Sequence, residues 1–248
     1  MEQSSNLTFS NQATASVVQV QERGNLSVAL KAIGLQGPRP TLIVIGGASK
    51  LSAVDLARVR ALFAKVLAPL AEAMGAFVID GGTDAGVMRL MGQARAEIAA
   101  QFPLVGVTPV GLATLPDKPA FSAESSPLEA HHTHFVLIPG SQWGDESSWM
   151  VDVATALAHG APSVVVLVNG GEITWKDVYH NVKAGRSVIV IAGSGRTADI
   201  LAQALRGEAI TDERAVEIIA SGLLQAVDLE AGFETLATVV RTALLPKR

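Results

Sequence analysis

The sequence predicts an α/β fold in which a mostly parallel central sheet carries helices on both faces, with a β-hairpin arm at the N-terminus. The chain has 248 residues, 49% of them hydrophobic and 17% charged, which suits one large domain with a fully covered sheet. Its strand-like segments are continuous apolar runs, which are typical of parallel strands buried on both faces. Helical patterns lie between most of these runs and indicate βαβ units.

Six apolar runs, rich in β-branched residues and each closed by glycine, are the predicted strands. They cover 41–47, 76–82, 103–111, 134–140, 162–171 and 187–195. The helical patterns that follow most of them cover 52–74, 84–101, 146–159, 172–184 and 196–206. Two further helices are predicted near 212–221 and 230–244, with a short strand from Leu223 to Leu229 between them.

The N-terminal arm has a different character. Residues 1 to about 14 are polar, and we expect them to be frayed. The short segments 16–21 and 26–33, joined by a turn at 22–25 that contains Gly-Asn, are predicted to pair as an edge hairpin.

Two prolines mark the boundary of this arm. Pro38 and Pro40 separate it from the part of the chain in which predicted strands and helices alternate. We therefore predict an arm over residues 1–38 and a main domain over residues 39–248.

Composition excludes several classes of protein. The absence of cysteine excludes disulfides, thiolate metal sites and a cysteine nucleophile. The N-terminus lacks the basic start and apolar segment of a signal peptide, and no apolar run approaches the roughly 20 residues that span a bilayer. A net charge of −4 argues against nonspecific nucleic-acid binding. We expect a cytoplasmic protein that engages neither membrane nor nucleic acid.

The glycines at the strand ends point to a ligand. In open parallel sheets, ligands bind outside the carboxyl ends of the strands, where glycine lets the backbone approach closely and helix N-termini favour anions. Gly46 and Gly47 end the first predicted strand, and nearby Ser49 or Ser52 could cap the helix behind it.

The turn after the second predicted strand is the strongest case. Gly81, Gly82, Thr83 and Gly86 lie between that strand and a helix, and they can form a backbone nest with an added hydroxyl donor. The turn matches neither a Walker motif nor GxGxxG, and a purely structural tight turn is the alternative. For the next residues, Val87 and Met88, packing between helix and sheet competes with ligand contact.

A second strand-to-helix turn contains Gly193, Ser194, Gly195 and Arg196. A cation in the first turn of a helix opposes the helix dipole, but beside a bound phosphate its guanidinium can bind two oxygens. The alternative is a solvated arginine paired with Asp199.

The segment after the fourth strand combines a glycine, an aromatic residue and two acids. Gly140 ends the strand, and Trp143 could stack on a purine or simply pack. Asp145 and Glu146 suit a helix start, and either could also bind ribose hydroxyls or act as a general base.

Two features near the start of that strand do not point to one particular function. The proline-containing segment 112–132 is a loop over the site or a surface excursion. His131, His132 and His134 lack the spacing of a metal site, and we expect no metal there. We expect one or two of these imidazoles to pack at the end of the sheet remote from the glycine turns.

The motifs GGTDAGVM, HHTHFVLIPG, VVVLVNGGEIT and VIVIAGSGRTADILA, in this order, resemble the SLOG superfamily. The similarity is greatest to its prokaryotic branch, which resembles the cytosolic N-terminal region of melastatin-type TRP channels (LSDAT-type), and it runs from about Thr41 to Leu245. The resemblance implies a Rossmann-like domain over 39–248 that binds nucleotide-derived ligands, ADP-ribose and its cyclic relatives foremost. No transmembrane portion follows these motifs, so we do not expect channel function.

The resemblance and the residue patterns together define the candidate ligand-binding residues. They are Gly46, Gly47, Gly81, Gly82, Thr83, Gly86, Val87, Gly140, Trp143, Glu146, Gly193, Ser194, Gly195 and Arg196. We expect the ligand to be a nucleotide-type small molecule, and we expect that no cofactor is required.

A sister branch, the LOG-type phosphoribohydrolases (the lysine-decarboxylase-like proteins), supplies the alternative function. These enzymes cleave the base from a nucleoside monophosphate with a Pro-Gly-Gly-x-Gly-Thr-x-x-Glu motif. Here the stretch reads PGSQWGDES, which keeps Pro139 and Gly140 but alters the rest, so that only Glu146 or Asp145 could be the catalytic acid. We therefore favour a binding or sensing module over an enzyme. The third hypothesis is a structural or oligomeric protein with a vestigial site, in which the arm and the apolar C-terminal helix serve a homodimer. Under any of the three, we expect a homo-oligomer.

Overall fold

A nine-stranded sheet forms the centre of the structure, a computed structural model that describes residues 4–120, 122–210 and 212–246. Its strands are β1 (Ser4–Thr8), β2 (Thr14–Gln19), β3 (Thr41–Gly46), β4 (Phe77–Asp80), β5 (Leu104–Pro109), β8 (His134–Ile138), β9 (Ser163–Val168), β10 (Ser187–Ala192) and β11 (Leu224–Asp228). Two short strands, β6 (Ala113–Thr114) and β7 (Ser126–Pro127), pair separately.

Helices connect most of the strands. They are α1 (Leu26–Ala32), α2 (Ala53–Leu62), α3 (Ala68–Ala73), α4 (Gly86–Glu97), α5 (Glu146–Ala158), α6 (Glu172–Lys183), α7 (Arg196–Leu205), α8 (Arg214–Ala220) and α9 (Phe233–Ala243). A π-helical turn, Phe63–Leu67, joins α2 to α3, so that the predicted helix over 52–74 is continuous. No helix in the described part of the chain is both long enough and apolar enough to span a bilayer.

The order of the strands creates a switch point. The sheet runs β1-β2-β8-β5-β4-β3-β9-β10-β11, and every neighbouring pair is parallel except β1 and β2. From β3 the chain builds outward through β4 and β5, and it later returns to place β9 on the other side of β3. The connections on the two sides of this boundary diverge, which opens a crevice at the carboxyl ends of β3 and β9.

Because both faces of the sheet pack in the core, polar and apolar residues do not alternate along the strands. In β3, Ile43 and Ile45 pack in one core cluster with α1, α5, α6, α7 and α8. Leu42 and Val44 pack on the opposite face with α2, α3, α4 and α9. This arrangement confirms the predicted α/β class with helices on both faces of a mostly parallel sheet.

The N-terminal hairpin is present, but its strands differ from the prediction. β1 pairs antiparallel with β2, so residues 4–8, which we expected to be frayed, are paired. The segment predicted as the second hairpin strand is helix α1 instead. Its buried residues Leu26, Ala29 and Leu30, together with the capping residue Ile33, have the spacing i, i+3, i+4, i+7 of an amphipathic helix. β2 then continues the main sheet by pairing in parallel with β8.

The segment 112–132, as far as it is described, lies against the turn between β4 and α4. Thr83 forms an isolated bridge with Leu128, and the Asp84 N–H donates to the Pro127 carbonyl at 2.8 Å. The Glu129 N–H donates to the Gly82 carbonyl at 2.9 Å. These backbone bonds join the segment to the glycine turn at several points.

The turn itself is held by close packing between two glycines. A Cβ atom at Gly106 in β5 would lie 2.5 Å from the Cα atom of Gly82 and 2.8 Å from the ring of Phe135. The φ angle of Gly82 is +73°. Glycine at both positions therefore lets β5 and the turn approach each other.

We expect Gly106→Ala to lower the free energy of unfolding by about 1–3 kcal/mol, since the added methyl group overpacks this contact. Urea unfolding with a common m-value measures the change. Gly24→Ala is the matched control, because a Cβ atom at Gly24 meets nothing within 4 Å. A loss at Gly106 no larger than at Gly24 would contradict the close-packing argument.

Candidate functional site

Four strand-to-helix turns converge at the switch point. Gly46 has a φ angle of +123°, and a Cβ atom there would lie 1.9 Å from the Val168 carbonyl oxygen of β9. A Cβ atom at Gly86 would lie 3.3 Å from the Cα atom of Gly47, and one at Gly195 would lie 2.8 Å from Nδ2 of Asn169. The turns after β3, β4, β9 and β10 therefore meet at one edge of the sheet, as the sequence predicts.

A cavity of about 460 Å³ opens beside these turns, a volume typical of small-molecule sites. The ends of β3 and β4, the segment 124–126, and helices α5 and α6 form its walls. Its lining residues are Val44, Ile45, Gly46, Gly81, Thr83, Ala85, Met88, Glu124, Ser125, Ser126, Trp143, Glu146, Met150, Ile173, Thr174 and Asp177.

Two carboxylates lie close together in this wall. Glu146 is buried at the start of α5 and accepts a 2.8 Å hydrogen bond from the Gly144 N–H. Asp177 is buried in α6 and accepts a 2.6 Å hydrogen bond from the Ser147 hydroxyl. Burial raises the pKa of Asp177 to about 7 against the opposing Ser147 bond, and the charge of Glu146 adds to the rise. Burial also raises the pKa of Glu146.

The neighbouring acid, Asp145, has a local structural role. Its Oδ2 atom accepts from the N–H groups of Ser141 and Gln142 at 3.0 and 3.1 Å. A Cβ atom at Gly140 would lie 2.7 Å from the same oxygen. Asp145 is exposed and does not line the cavity, so of the two acids predicted here only Glu146 lies in its wall.

Arg196 lies at the switch point, outside the cavity lining. Its Nη1 atom donates to the Ser49 hydroxyl at 2.9 Å, and a Cβ atom at Gly171 would lie 3.1 Å from Nη1. Asp199, which could have paired with this arginine, instead accepts from the Gly193 N–H at 2.7 Å. The guanidinium is exposed and bridges the turns after β3 and β10, where it can reach an anion.

The structure separates the candidate residues into two sets. Five of them line the cavity: Gly46, Gly81, Thr83, Trp143 and Glu146. The others are not among its lining residues: Gly47, Gly82, Gly86, Val87, Gly140, Gly193, Ser194, Gly195 and Arg196.

Two members of the second set have side chains engaged within the protein. Val87 is fully buried in the core cluster between α2, α4 and the sheet, so its side chain packs and does not reach the cavity. The Ser194 hydroxyl is buried, donates to the Ile191 carbonyl and accepts from the Asn169 N–H. Neither residue is among those that line the cavity, and their part in ligand binding stays a prediction.

His132 lies in a buried ionic cluster beside the glycine turn. Its Nε2 atom lies 2.8 Å from Oδ1 of Asp80, and its Nδ1 atom lies 2.9 Å from Oε2 of Glu129. Oδ1 of Asp80 also accepts from the Gly82 N–H at 2.8 Å. Burial alone would lower the pKa of His132, but the charges and hydrogen bonds of Asp80 and Glu129 outweigh burial and raise it to about 9.

We predicted that one or two of the imidazoles pack at the end of the sheet remote from the glycine turns, where His134 begins β8, but His132 lies beside those turns instead. His132 contacts the last residue of β4 and is linked through it to the turn. His131 also bonds Glu129, with Nδ1 2.6 Å from Oε1. His134 is separate, and burial lowers its pKa to about 4. Among the described residues, no group of three or more His, Cys, Asp or Glu could hold a metal ion.

Several polar residues of the site escaped the sequence analysis. Asp177 is one turn after Ile173 and Thr174 on the buried face of α6, so an acid at an apolar helical position was the available signal. Asn169 is buried, and its Nδ2 atom donates to the Ser194 carbonyl at 2.7 Å. Its Oδ1 atom has no hydrogen-bond partner among the residues that the structure describes.

Comparisons with known proteins find similar sequences over most of the chain. A family model described as "SLOG in TRPM, prokaryote" (LSDAT_prok) matches residues 39–238. "Transient receptor potential cation channel subfamily M member-like 2" of Nematostella vectensis is 29% identical over 216 residues, which cover 71% of this chain. The mouse subfamily M member 2 is 27% identical over 68% of the chain, and the human member 6 is 26% identical over 71%. The matched regions span only 14%, 14% and 10% of these channels.

The His132 cluster makes a prediction about the pH dependence of stability. A pKa raised to about 9, against roughly 6.5 in the unfolded chain, adds stability that is complete below pH 6.5 and is lost as the pH rises through 9. We therefore expect the difference in free energy of unfolding between the wild type and His132→Asn to shrink by up to roughly 3 kcal/mol over this window.

Urea unfolding at several pH values between 6 and 9 measures this difference. His134→Asn is the control, because a histidine whose folded-state pKa is about 4 changes the difference by less than about 1 kcal/mol, only near pH 6 where the unfolded chain is protonated, and in the opposite direction. A difference between wild type and His132→Asn that stays constant over these pH values would contradict a charged His132.

Proposed function

The chain belongs to the family described as SLOG in TRPM, prokaryote, and from this premise we propose that it binds a nucleotide-derived ligand of the ADP-ribose type as a cytoplasmic sensor. One observation carries the proposal. The cavity lies at the carboxyl edge of the sheet, beside the switch point between β3 and β9, where open α/β sheets bind nucleotides. Trp143 in its wall supplies an aromatic face suited to a base or other flat ring.

The glycine turns and Arg196 beside the cavity, which we call its rim, offer a position for the phosphates. The turns that contain Gly47 and Gly86 approach each other there, and the guanidinium of Arg196 lies against Ser49 and Gly171. Backbone N–H groups at the start of α4 and the arginine are suited to phosphate oxygens. In the proposed complex, the phosphates lie at this rim and the rest of the ligand enters the cavity.

We expect wild-type protein to bind ADP-ribose and Arg196→Ala to bind it about 10- to 100-fold more weakly, because a charge-assisted hydrogen bond contributes about 1.5–3 kcal/mol. Isothermal titration calorimetry measures both dissociation constants. Arg206→Ala is the matched control, since Arg206 follows the other end of α7 and pairs with Asp228. The proposal fails when wild-type protein binds none of a panel of adenine nucleotides, or when both variants bind equally well.

A second function is supported by one specific observation. Glu146 and Asp177 are buried carboxyls in the cavity wall, and burial raises the pKa of each toward the range useful for proton transfer at neutral pH. Such a pair could assist cleavage of the N-glycosidic bond of a nucleoside monophosphate. Hydrolysis is the second candidate because the PGSQWGDES stretch departs from the enzyme motif. In addition, Asp145 accepts hydrogen bonds from N–H groups of its own loop.

For hydrolysis, we expect wild-type protein to release free base from at least one nucleoside monophosphate, and Glu146→Gln to lower that rate by about 100-fold or more. Liquid chromatography of the incubated mixture detects the base. Asp145→Asn controls for the neighbouring loop acid, which lies outside the cavity. Binding of a nucleoside monophosphate without release of base by the wild type would exclude the enzymatic function for that substrate.

A further inference from the structure

The charges of the cavity lining have one sign. Three of its residues are acids, Glu124, Glu146 and Asp177, and the described lining residues include no lysine, arginine or histidine. The phosphates of a nucleotide would be repelled from such a wall. The part of the ligand that enters the cavity must therefore differ in charge from the part bound at the rim.

Two of these acids are buried with few partners. Glu146 accepts from the Gly144 N–H, and Asp177 accepts from the Ser147 hydroxyl. Both donors are neutral, and a buried carboxylate without a cation is costly. Lys176 is the charged neighbour that favours their ionised forms, but its side chain is exposed and lies beside Gly144. A positive charge on the ligand would supply the missing counter-charge.

The surroundings of the two acids favour a flat ligand group. Trp143 lines the cavity with them, and Ile45, Met150 and Ile173 provide apolar walls. A tryptophan face attracts cations, and it does so most strongly when the cation is desolvated. Carboxylates beside an aromatic ring and aliphatic side chains suit a delocalised cationic heterocycle better than a hydrated ammonium group.

We propose that Glu146, Asp177 and Trp143 form a subsite for a flat, cationic nitrogen heterocycle carried by the nucleotide ligand, such as the pyridinium ring of an oxidised nicotinamide dinucleotide. This inference rests on the proposed nucleotide-binding function and specifies its ligand class. Oxidised and reduced nicotinamide dinucleotides differ in the charge of that ring, so comparing NAD⁺ with NADH tests the subsite directly. ADP-ribose has the same phosphates but lacks the ring.

The subsite also implies a pH dependence of binding. The groups that face Asp177 are Ser147 and Glu146 from α5 and Lys176 on its own helix, and Glu124 is a further acid among the lining residues of the cavity. A cation binds best to ionised carboxylates, so the affinity for NAD⁺ rises as Asp177, with a pKa of about 7, loses its proton. Between pH 6.5 and 8 the ionised fraction increases about fourfold, and the affinity for NAD⁺ is expected to follow it.

The experiment is calorimetric titration of the whole 248-residue chain with NAD⁺, NADH and ADP-ribose at pH 6.5 and 8. We expect the wild type to prefer NAD⁺ to NADH by about tenfold or more at pH 8, and NAD⁺ binding to release protons. Asp177→Asn and Glu146→Gln are each expected to reduce the ratio of the NAD⁺ affinity to the NADH affinity several-fold, and to weaken NAD⁺ binding more than ADP-ribose binding. Glu172→Gln, an exposed acid on the same helix as Asp177, keeps the preference.

The outcomes separate this inference from the proposed function. Binding of ADP-ribose with equal affinities for NAD⁺ and NADH overturns the inference and leaves the proposed function intact. A preference for NAD⁺ that survives both substitutions also overturns it, because the cation is then recognised elsewhere. If none of the three compounds binds, both proposals fail. Should Asp177→Asn fail to fold, Glu146→Gln and the wild-type ratio still decide the question.

Discussion

The close approach of β3 and β9 is the constraint on which the rest of the site depends. At the end of β3, Gly46 has a positive φ angle, and its backbone lies so near the Val168 carbonyl that any side chain would collide with it. The two strands are neighbours, yet they belong to halves of the sheet built in opposite directions. Their connections therefore part at this point. The crevice that results receives the turns after β4 and β10 as well, and it opens into the cavity.

The ionic cluster around His132 links the walls of that cavity to each other. A buried carboxylate–imidazolium–carboxylate arrangement is seldom more stable than an apolar core of the same volume. Here, Asp80 holds the Gly82 N–H, and the backbone of Glu129 bonds the carbonyl of the same glycine. His132 connects the two acids. The cluster thus joins the glycine turn to the segment 112–132, part of which lines the cavity. The position of the turn therefore depends on the position of this segment.

The sequence predicted the parallel strands and most helices well, because continuous apolar runs and helical periods are local signals. The arm was harder, since a short segment with Leu26, Leu30 and Ile33 satisfies more than one pattern and tertiary packing decides between them. Prediction of the site is limited in the same way, because contacts between residues far apart in sequence leave no local signal. Glycines and Arg196 carry local signals, whereas the contact of His132 with Asp80 joins residues 52 positions apart. Asp177 was not among the predicted residues, since its burial becomes evident from the packing of α5 against α6.

The division of charge across the site restricts what the ligand can be. Arg196 and the backbone N–H groups of the turns lie at the rim, while the cavity lining carries the buried acids Glu146 and Asp177 and the exposed Glu124. A ligand that is anionic along its whole length could satisfy only the rim, and its inner part would add repulsion to the cost of the buried acids. A neutral inner part could form hydrogen bonds with the carboxylates but would leave their charge unbalanced. A ligand whose charge changes sign between its phosphates and its ring satisfies both regions, and it does so in one orientation only.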